Sequence, residues 1–448
     1  MTAVTVGAPQ RSVERGQSVL SSVIEVEGRR HDIYFRAPER ALAGGADAFL
    51  AVALLPAMRV GAPLHIDGAV SRRILEHMPT FQGLMANWFH DFHEIAIQAG
   101  IAAPPPQAQP AGVACFFSGG IDSFYTVLKH QAEITHLVFV HGFDILLGND
   151  VLRSKISLAL RQAASELGKP LLEVETNVRS LFDAYADWEY HVHGTALASV
   201  ALALSGFKKV YIASGHSYIR LVPMGSHPLI TPLWSSEQMD LVHDGCEANR
   251  WEKFDRIAGQ ETVQRWLRVC WRNSEGSYNC GVCNKCLLVR ALIRAGGMEE
   301  RFSTFPPLLD LDELRLAARK PEYRLDLTHF LDHLDVSHPD SDIAGILRAE
   351  LARPLLAESG PPAGDSQAMM EYAAHIETEL KSAQERTMRL EIQLERMKHK
   401  VALREAQLER LTNSRSWRLT APLRQSVRLA GRMRNIQPST VRRDGGET

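Results

Sequence analysis

The chain has 448 residues, and its 50 Lys and Arg nearly balance 52 Asp and Glu, for a formal net charge of −2. That length accommodates two or three domains and at least one large core. The charge balance excludes a generally nucleic-acid-binding surface and leaves room only for local basic patches. Six cysteines in so long a chain do not make a disulfide scaffold.

Residues 1–17 are polar, carry Arg11 and Arg15 and contain no apolar run, so neither regular structure nor a secretory signal is expected there. Val23–Glu27 and His31–Arg36 alternate about Gly28-Arg29, predicting a hairpin. A helix is expected over 46–58, a short strand and turn over 63–68, and two helices over 71–78 and 80–93. Together they predict a small α+β domain over 18–100, with Trp88, His90 and His93 as packing residues rather than ligands. The apolar stretches 48–58 and 196–204 are too short to span a bilayer and are expected in cores. The expected location is cytoplasmic.

Pro104-Pro105-Pro106-Gln107-Ala108-Gln109-Pro110 predicts a stiff, extended linker and a domain boundary. Beyond it, short apolar strands (113–117, 136–140, 171–174, 210–213) alternate with helical patterns (123–130, 156–167, 195–204). This predicts an α/β domain over 111–356, a parallel sheet with helices on both faces. Ligands of such sheets lie at the carboxyl ends of the strands. Three glycine-bearing turns fall there: Ser118-Gly119-Gly120, His141-Gly142 and Ser214-Gly215-His216.

The run Ser118-Gly119-Gly120-Ile121-Asp122-Ser123 joins a buried strand to a helix start. Glycines let the backbone approach an oxyanion, the helix N-terminus offers unpaired N–H groups, and the serines add hydroxyls. Asp122 suits such a site as a metal holder or as a first-turn acid. An ordinary capped turn is the competing reading.

Cys280-Gly281-Val282-Cys283-Asn284-Lys285-Cys286 overlaps two CxxC units, with Cys270 and Cys246 upstream as candidate fourth ligands. Four thiolates close a tetrahedral site and imply structural zinc, with an iron–sulfur cluster as the alternative. Cys115, in the apolar strand, is expected as a buried small hydrophobe.

Residues 309–356 have a charged helical pattern, and 358–366 form a second linker. Over 367–413 one heptad position carries Ala373, Leu380, Thr387, Leu394, Val401 and Leu408, and another Met369, Ile376, Ala383, Leu390, Met397, Arg404 and Leu411. This predicts a coiled coil, most simply a homodimer. The segment 414–448 is basic and amphipathic about Trp417, which suits an anionic membrane surface, a partner protein or a solvated tail.

The Ser-Gly-Gly-Ile-Asp-Ser loop together with the downstream C-x9-C-x2-C-x2-C resembles the PP-loop ATP pyrophosphatase superfamily. Within it the chain is most similar to the 7-cyano-7-deazaguanine synthase (QueC-like) branch, over Val113 to Arg294. Thr231-Pro232-Leu233-Trp234, Lys253 and the segment Trp266–Leu288 also resemble that branch. The resemblance implies an adenine nucleotide alpha hydrolase-like fold that binds ATP with Mg2+, cleaves between the α and β phosphates and adenylates a carboxylate or carbonyl oxygen for nitrogen transfer. It places Gly119 and Gly120 N–H and the Ser118 and Ser123 hydroxyls on pyrophosphate, Asp122 on Mg2+, and Lys253 on phosphate charge. It also places adenine at the strand end of His141 and Gly142, and Zn2+ on Cys270, Cys280, Cys283 and Cys286. His191, His193 and His216 become candidates for acceptor contacts.

The branch carries Tyr-Gly-Gln after the second strand, whereas this chain has His141-Gly142-Phe143-Asp144, so the branch's own acceptor does not carry over and a small-molecule acceptor of open identity is expected. Sulfur transfer to a tRNA base, which would require Cys115 or Cys246, and a non-catalytic nucleotide-binding scaffold are the alternatives. Ser414–Arg424 resembles a short motif of bacterial glycosyltransferases and cell-surface polysaccharide proteins, which implies a glycan-biosynthesis partner.

Overall fold

The computed structural model describes residues 3–42, 45–103, 111–273, 277–306 and 309–353. Both expected linkers, the coiled coil over 367–413 and the basic tail over 414–448 lie outside these residues.

The N-terminal segment runs β1 (Val4–Val6), β2 (Gln10–Glu14), β3 (Gln17–Val26), β4 (Arg29–Pro38), α1 (Ala46–Val60), β5 (Leu64–Val70), α2 (Arg72–Trp88) and β6 (Ile97–Ile101). The β3–β4 hairpin forms where alternation predicted it. Its tight turn puts both Glu27 (φ 51) and Gly28 (φ 75) in the left-handed region, the conformation whose twist matches paired strands. Contrary to expectation, residues 4–6 and 10–14 are strands. Every residue of β2 is exposed, so this strand is held by its pairing with β3 rather than by burial, and no hydrophobic pattern announces it. The two helices expected over 71–78 and 80–93 are one, capped by the Ser71 hydroxyl and continuous through Pro79.

After the linker come β7 (Gly112–Phe116), α3 (Ile121–Lys129), β8 (His136–His141), α4 (Asp150–Glu166), β9 (Leu171–Thr176), α5 (Arg179–Tyr185), α6 (His193–Ala203), β10 (Phe207–Ala213) and β11 (Asp240–Asp244). Then follow α7 (Arg250–Ile257), α8 (Glu261–Trp266), α9 (Asn284–Ala295), α10 (Leu311–Ala318), α11 (Pro321–Ser337) and α12 (Asp342–Leu351).

All strands join one sheet in the order β11-β10-β7-β8-β9-β4-β3-β1-β5-β6, with β2 attached to β3. The five strands from β7 onward are mutually parallel, as expected. The N-terminal strands enter through an antiparallel pairing of β4 with β9, Phe35 opposite Thr176. Asn177 fastens that seam, accepting from Tyr34 N–H at 3.0 Å and donating to Asp32 O at 2.8 Å.

Two cores cover the sheet. On one face α1 and α6, buried almost all round, pack with Ala114, Phe116 and Val138. On the other, α3, α4, α7 and α9 to α12 cover Val113, Cys115 and Phe117, so successive strand residues serve opposite layers. Cys115 is fully buried, as expected. The chain winds β7 to β8 to β9 in one direction and then returns to place β10 on the other side of β7. Reversal of this kind opens a crevice at the carboxyl ends of β7 and β10.

Candidate functional site

The Ser118–Ser123 loop lies at that crevice. The helix α3 begins at Ile121, and its N-cap Gly120 supplies no side-chain cap, so the first-turn N–H groups stay available to an anion. Gly119 has φ 75, and a Cβ there would meet Leu160 Cδ2 at 2.9 Å, so only glycine fits. Its carbonyl accepts from Arg268 N–H at 2.8 Å, which fixes the turn from below. Ser118 is exposed and free to turn to a ligand, and Ile121 is a core residue. Ser123 is buried and donates its hydroxyl to Gly120 O at 3.0 Å, so it shapes the loop from within.

Across the crevice α7 starts with a capping box, Asn249 with Glu252, that sets its first turn toward the loop. Lys253 is 1% exposed, and its ammonium reaches Asp122 Oδ1 at 3.1 Å and Ser214 O at 2.6 Å. It thereby ties the turn after β7 to the turn after β10. Arg250 Nη2 takes the other carboxylate oxygen, Oδ2, at 2.9 Å. Burial alone would raise the Asp122 pKa, but Arg250 and Lys253 outweigh it and hold the carboxyl below its usual range. Both Asp122 oxygens are thus engaged by cations. In this arrangement Asp122 anchors two cations. Lys285 adds a third positive group, and burial together with the Arg250 charge depresses its pKa. Sequence reasoning missed Arg250, although it lies three residues before Lys253 on one helix, and passed over Lys285 between two cysteines.

His141 and Gly142 stand at the end of β8. His141 is 7% exposed, with Nε2 at 2.7 Å from Glu173 Oε2 and 3.3 Å from Ser157 Oγ. This set has the composition of a hydrolytic triad without its geometry, because hydroxyl and carboxylate share one ring nitrogen. Burial would raise the Glu173 pKa, but hydrogen bonds from His141, Ser157 and Arg161 bring it to about 2. Gly142 (φ 96) passes so close to β9 that a Cβ would stand 2.0 Å from Thr176 O. Both residues build the strand-end frame.

Of the three candidate acceptor histidines, His191 packs on Phe89 and Phe92, and His193 on Trp188. Only His216 feels Arg250, Asp122 and Lys253 together, with burial first lowering its pKa. A fourth histidine went unread. His243 on β11 keeps Nδ1 at 3.2 Å from Thr231 Oγ1 while its buried Nε2 has no partner. Burial, then His227 and Lys253, press its pKa down to about 3.

The sulfurs of Cys270, Cys280, Cys283 and Cys286 all lie within 4.8 Å of one another, and this cluster can bind a metal such as zinc. Zn–S bonds of about 2.3 Å give tetrahedral edges near 3.8 Å, and Cys280 and Cys286 are 3.9 Å apart. Cys246 lies instead after β11, where its carbonyl accepts from Tyr218 N–H, so Cys270 is the fourth member. The left-handed Gly281 (φ 80) makes the knuckle turn against Pro306. Cys283 then caps α9 and Cys286 falls in its first turn. Asn279 accepts from Val269 and Cys270 N–H and donates to Leu267 O and Thr304 O. The segment that carries Cys270 is therefore pinned to the knuckle, and two residues earlier it carries the N–H that holds Gly119. A cavity of about 180 Å³ opens on the far side of the knuckle, lined by Trp271, Arg272, Cys283, Tyr323 and Asp326.

Two measurements check this geometry. Between pH 7 and 5 the unfolded chain protonates His243 while the folded chain does not, so stability falls with acidification, by about 2 kcal/mol at pH 5. Denaturant titrations of His243→Asn should show that loss reduced, and an unchanged pH slope contradicts the assignment. The purified protein should hold one metal per chain by elemental analysis and lose it in Cys283→Ser. Removal of the metal should speed hydrogen exchange at the Arg268 amide by about tenfold or more.

Among the described residues no helix is long and apolar enough to cross a membrane. Comparison of the chain with family models, curated proteins and solved structures returns no match.

Proposed function

We propose that the chain is an ATP-dependent adenylating enzyme that activates a carboxylate or carbonyl group of a small molecule for nitrogen transfer. The observation that carries this reading is the bridge of Lys253 across the strand-order reversal, which sets buried positive charge opposite an uncapped helix N-terminus behind Gly119-Gly120. Unpaired N–H groups, glycine backbone and fixed cations are what a leaving pyrophosphate requires. The likeness of the loop and the cysteine spacing to PP-loop ATP pyrophosphatases supports the same reading.

In this mechanism the N–H groups at Gly120 and Ile121 and the Ser118 hydroxyl receive the β and γ phosphates. Lys253, fixed by Asp122 and Ser214 O, stands by the α–β bridge. Arg250, which is more exposed, swings from Asp122 toward the phosphates as they arrive. An oxygen of the acceptor attacks the α phosphorus, the bond from that phosphorus to the bridging oxygen breaks, and its electron pair leaves with pyrophosphate. Ammonia then attacks the activated carbon and expels AMP. Zinc held by Cys270, Cys280, Cys283 and Cys286 would supply structure rather than chemistry.

Sulfur transfer gains no support from the free cysteines. Burial raises the Cys115 thiol far above neutrality, and burial also raises that of Cys246, so neither is a ready thiolate. The decisive assay follows ATP labelled at the α phosphorus, with candidate carboxylates and ammonia present. AMP and pyrophosphate in equal amounts are expected, and Lys253→Met should lower the rate by at least about a hundredfold. ADP as the sole product would falsify α–β cleavage.

A further inference from the structure

We infer that Arg268 is an oxyanion-binding residue of the nucleotide site, facing the phosphates of the ligand; the inference rests on the reading of the Ser118–Ser123 loop given above. Arg268 is 7% exposed, and its guanidinium is a planar cation with five N–H donors. Buried arginines are nearly always balanced by a carboxylate, because an isolated charge away from water is costly. Among the described residues Arg268 enters no ion pair. Its Nη2 donates to the neutral side-chain oxygen of Asn273, and its Nε is buried with no partner at all. Arg250, Lys253 and Arg153 each hold a carboxylate, and Arg290, as buried and likewise without an ion pair among the described residues, donates to Gly281 O at 2.9 Å and leaves no buried nitrogen orphaned.

The position of this unbalanced charge gives it meaning. The Arg268 N–H holds Gly119 O at 2.8 Å, and a Cβ on Gly119 would stand 3.8 Å from Arg268 Cβ. Asn273, at the other end of the side chain, donates in turn to Asp144 O at 2.7 Å, in the turn that follows β8. The guanidinium therefore lies between the glycine turn after β7 and the turn after β8, along the edge where a nucleotide would rest. It has N–H capacity to spare and no anion among the described residues. A phosphate oxygen supplies both the hydrogen-bond acceptor and the countercharge, and the planar fork of arginine suits phosphate geometry. Arg268 and Lys253 would then grip the phosphate chain from opposite sides of the loop.

The test is binding of inorganic pyrophosphate and of ATP, by calorimetry, to the full chain and to Arg268→Met, with thermal unfolding of both proteins without ligand. The expected result is a loss of affinity of about tenfold or more for both ligands, with the ligand-free variant at least as stable as the wild type. A merely structural arginine would give the reverse pattern, an unstable variant with undiminished affinity per folded molecule, and that result overturns the inference. Equal affinity of variant and wild type also overturns it while leaving the loop reading intact. If the wild type itself binds neither pyrophosphate nor ATP, the loop reading falls and takes this inference with it. Should Arg268→Met not fold, Arg268→Gln, which keeps a donor for Asn273, carries the same comparison with the same outcomes.

Discussion

The ammonium of Lys253 is the constraint on which the crevice depends. A lysine at 1% exposure must be fully satisfied, and this one takes a carboxylate from the turn after β7 and a carbonyl from the turn after β10. The two turns belong to strands that are neighbours only because the chain reverses its direction of winding between β9 and β10. Removing either partner would strand a buried charge at a cost of about 3–5 kcal/mol. The ion pair therefore registers the two walls of the crevice against each other and keeps Asp122 ionised for Arg250 as well. The acid that the sequence offers to a metal serves in the fold to anchor two cations.

The cysteine knuckle supports the same loop from the opposite side. Asn279 pins the segment of Cys270, and that segment offers its Arg268 N–H to Gly119. Tyr278 adds a hydrogen bond to Trp266 O, and Thr304 one to Leu267 O. The cysteine cluster and the Ser118–Ser123 loop are thus two ends of one short hydrogen-bonded segment. This gives a physical reason for a pair of motifs more than a hundred residues apart to occur together.

Much of this was legible in the sequence because it rests on local rules. Short apolar runs between helical patterns disclosed the parallel strands, the glycine-serine run disclosed the uncapped start of α3, and CxxC spacing disclosed the knuckle. What escaped depends on partners remote in sequence. The strand β2 has no buried residue, and β11 is a short Asp-Leu-Val-His-Asp run flanked by acids, so neither shows a strand pattern. The fusion of the N-terminal strands to the main sheet hangs on the β4–β9 seam, which no local signal encodes. Arg250 and Arg268 are ordinary arginines until the fold brings one to Asp122 and leaves the other without an anion among the described residues. His141 illustrates the converse, since it stands at a strand end as expected yet faces Glu173 and Ser157 within the frame.

The most direct test of the crevice is a crystal structure of the chain with an ATP analogue whose α–β bridging oxygen is replaced by methylene, which blocks cleavage there. The proposed function predicts phosphate oxygens on the N–H groups at the start of α3, the Lys253 ammonium within hydrogen-bond distance of the triphosphate, and Arg250 moved off Asp122. A triphosphate bound elsewhere, with the Asp122–Arg250 pair undisturbed and the Gly119–Gly120 turn vacant, would contradict it.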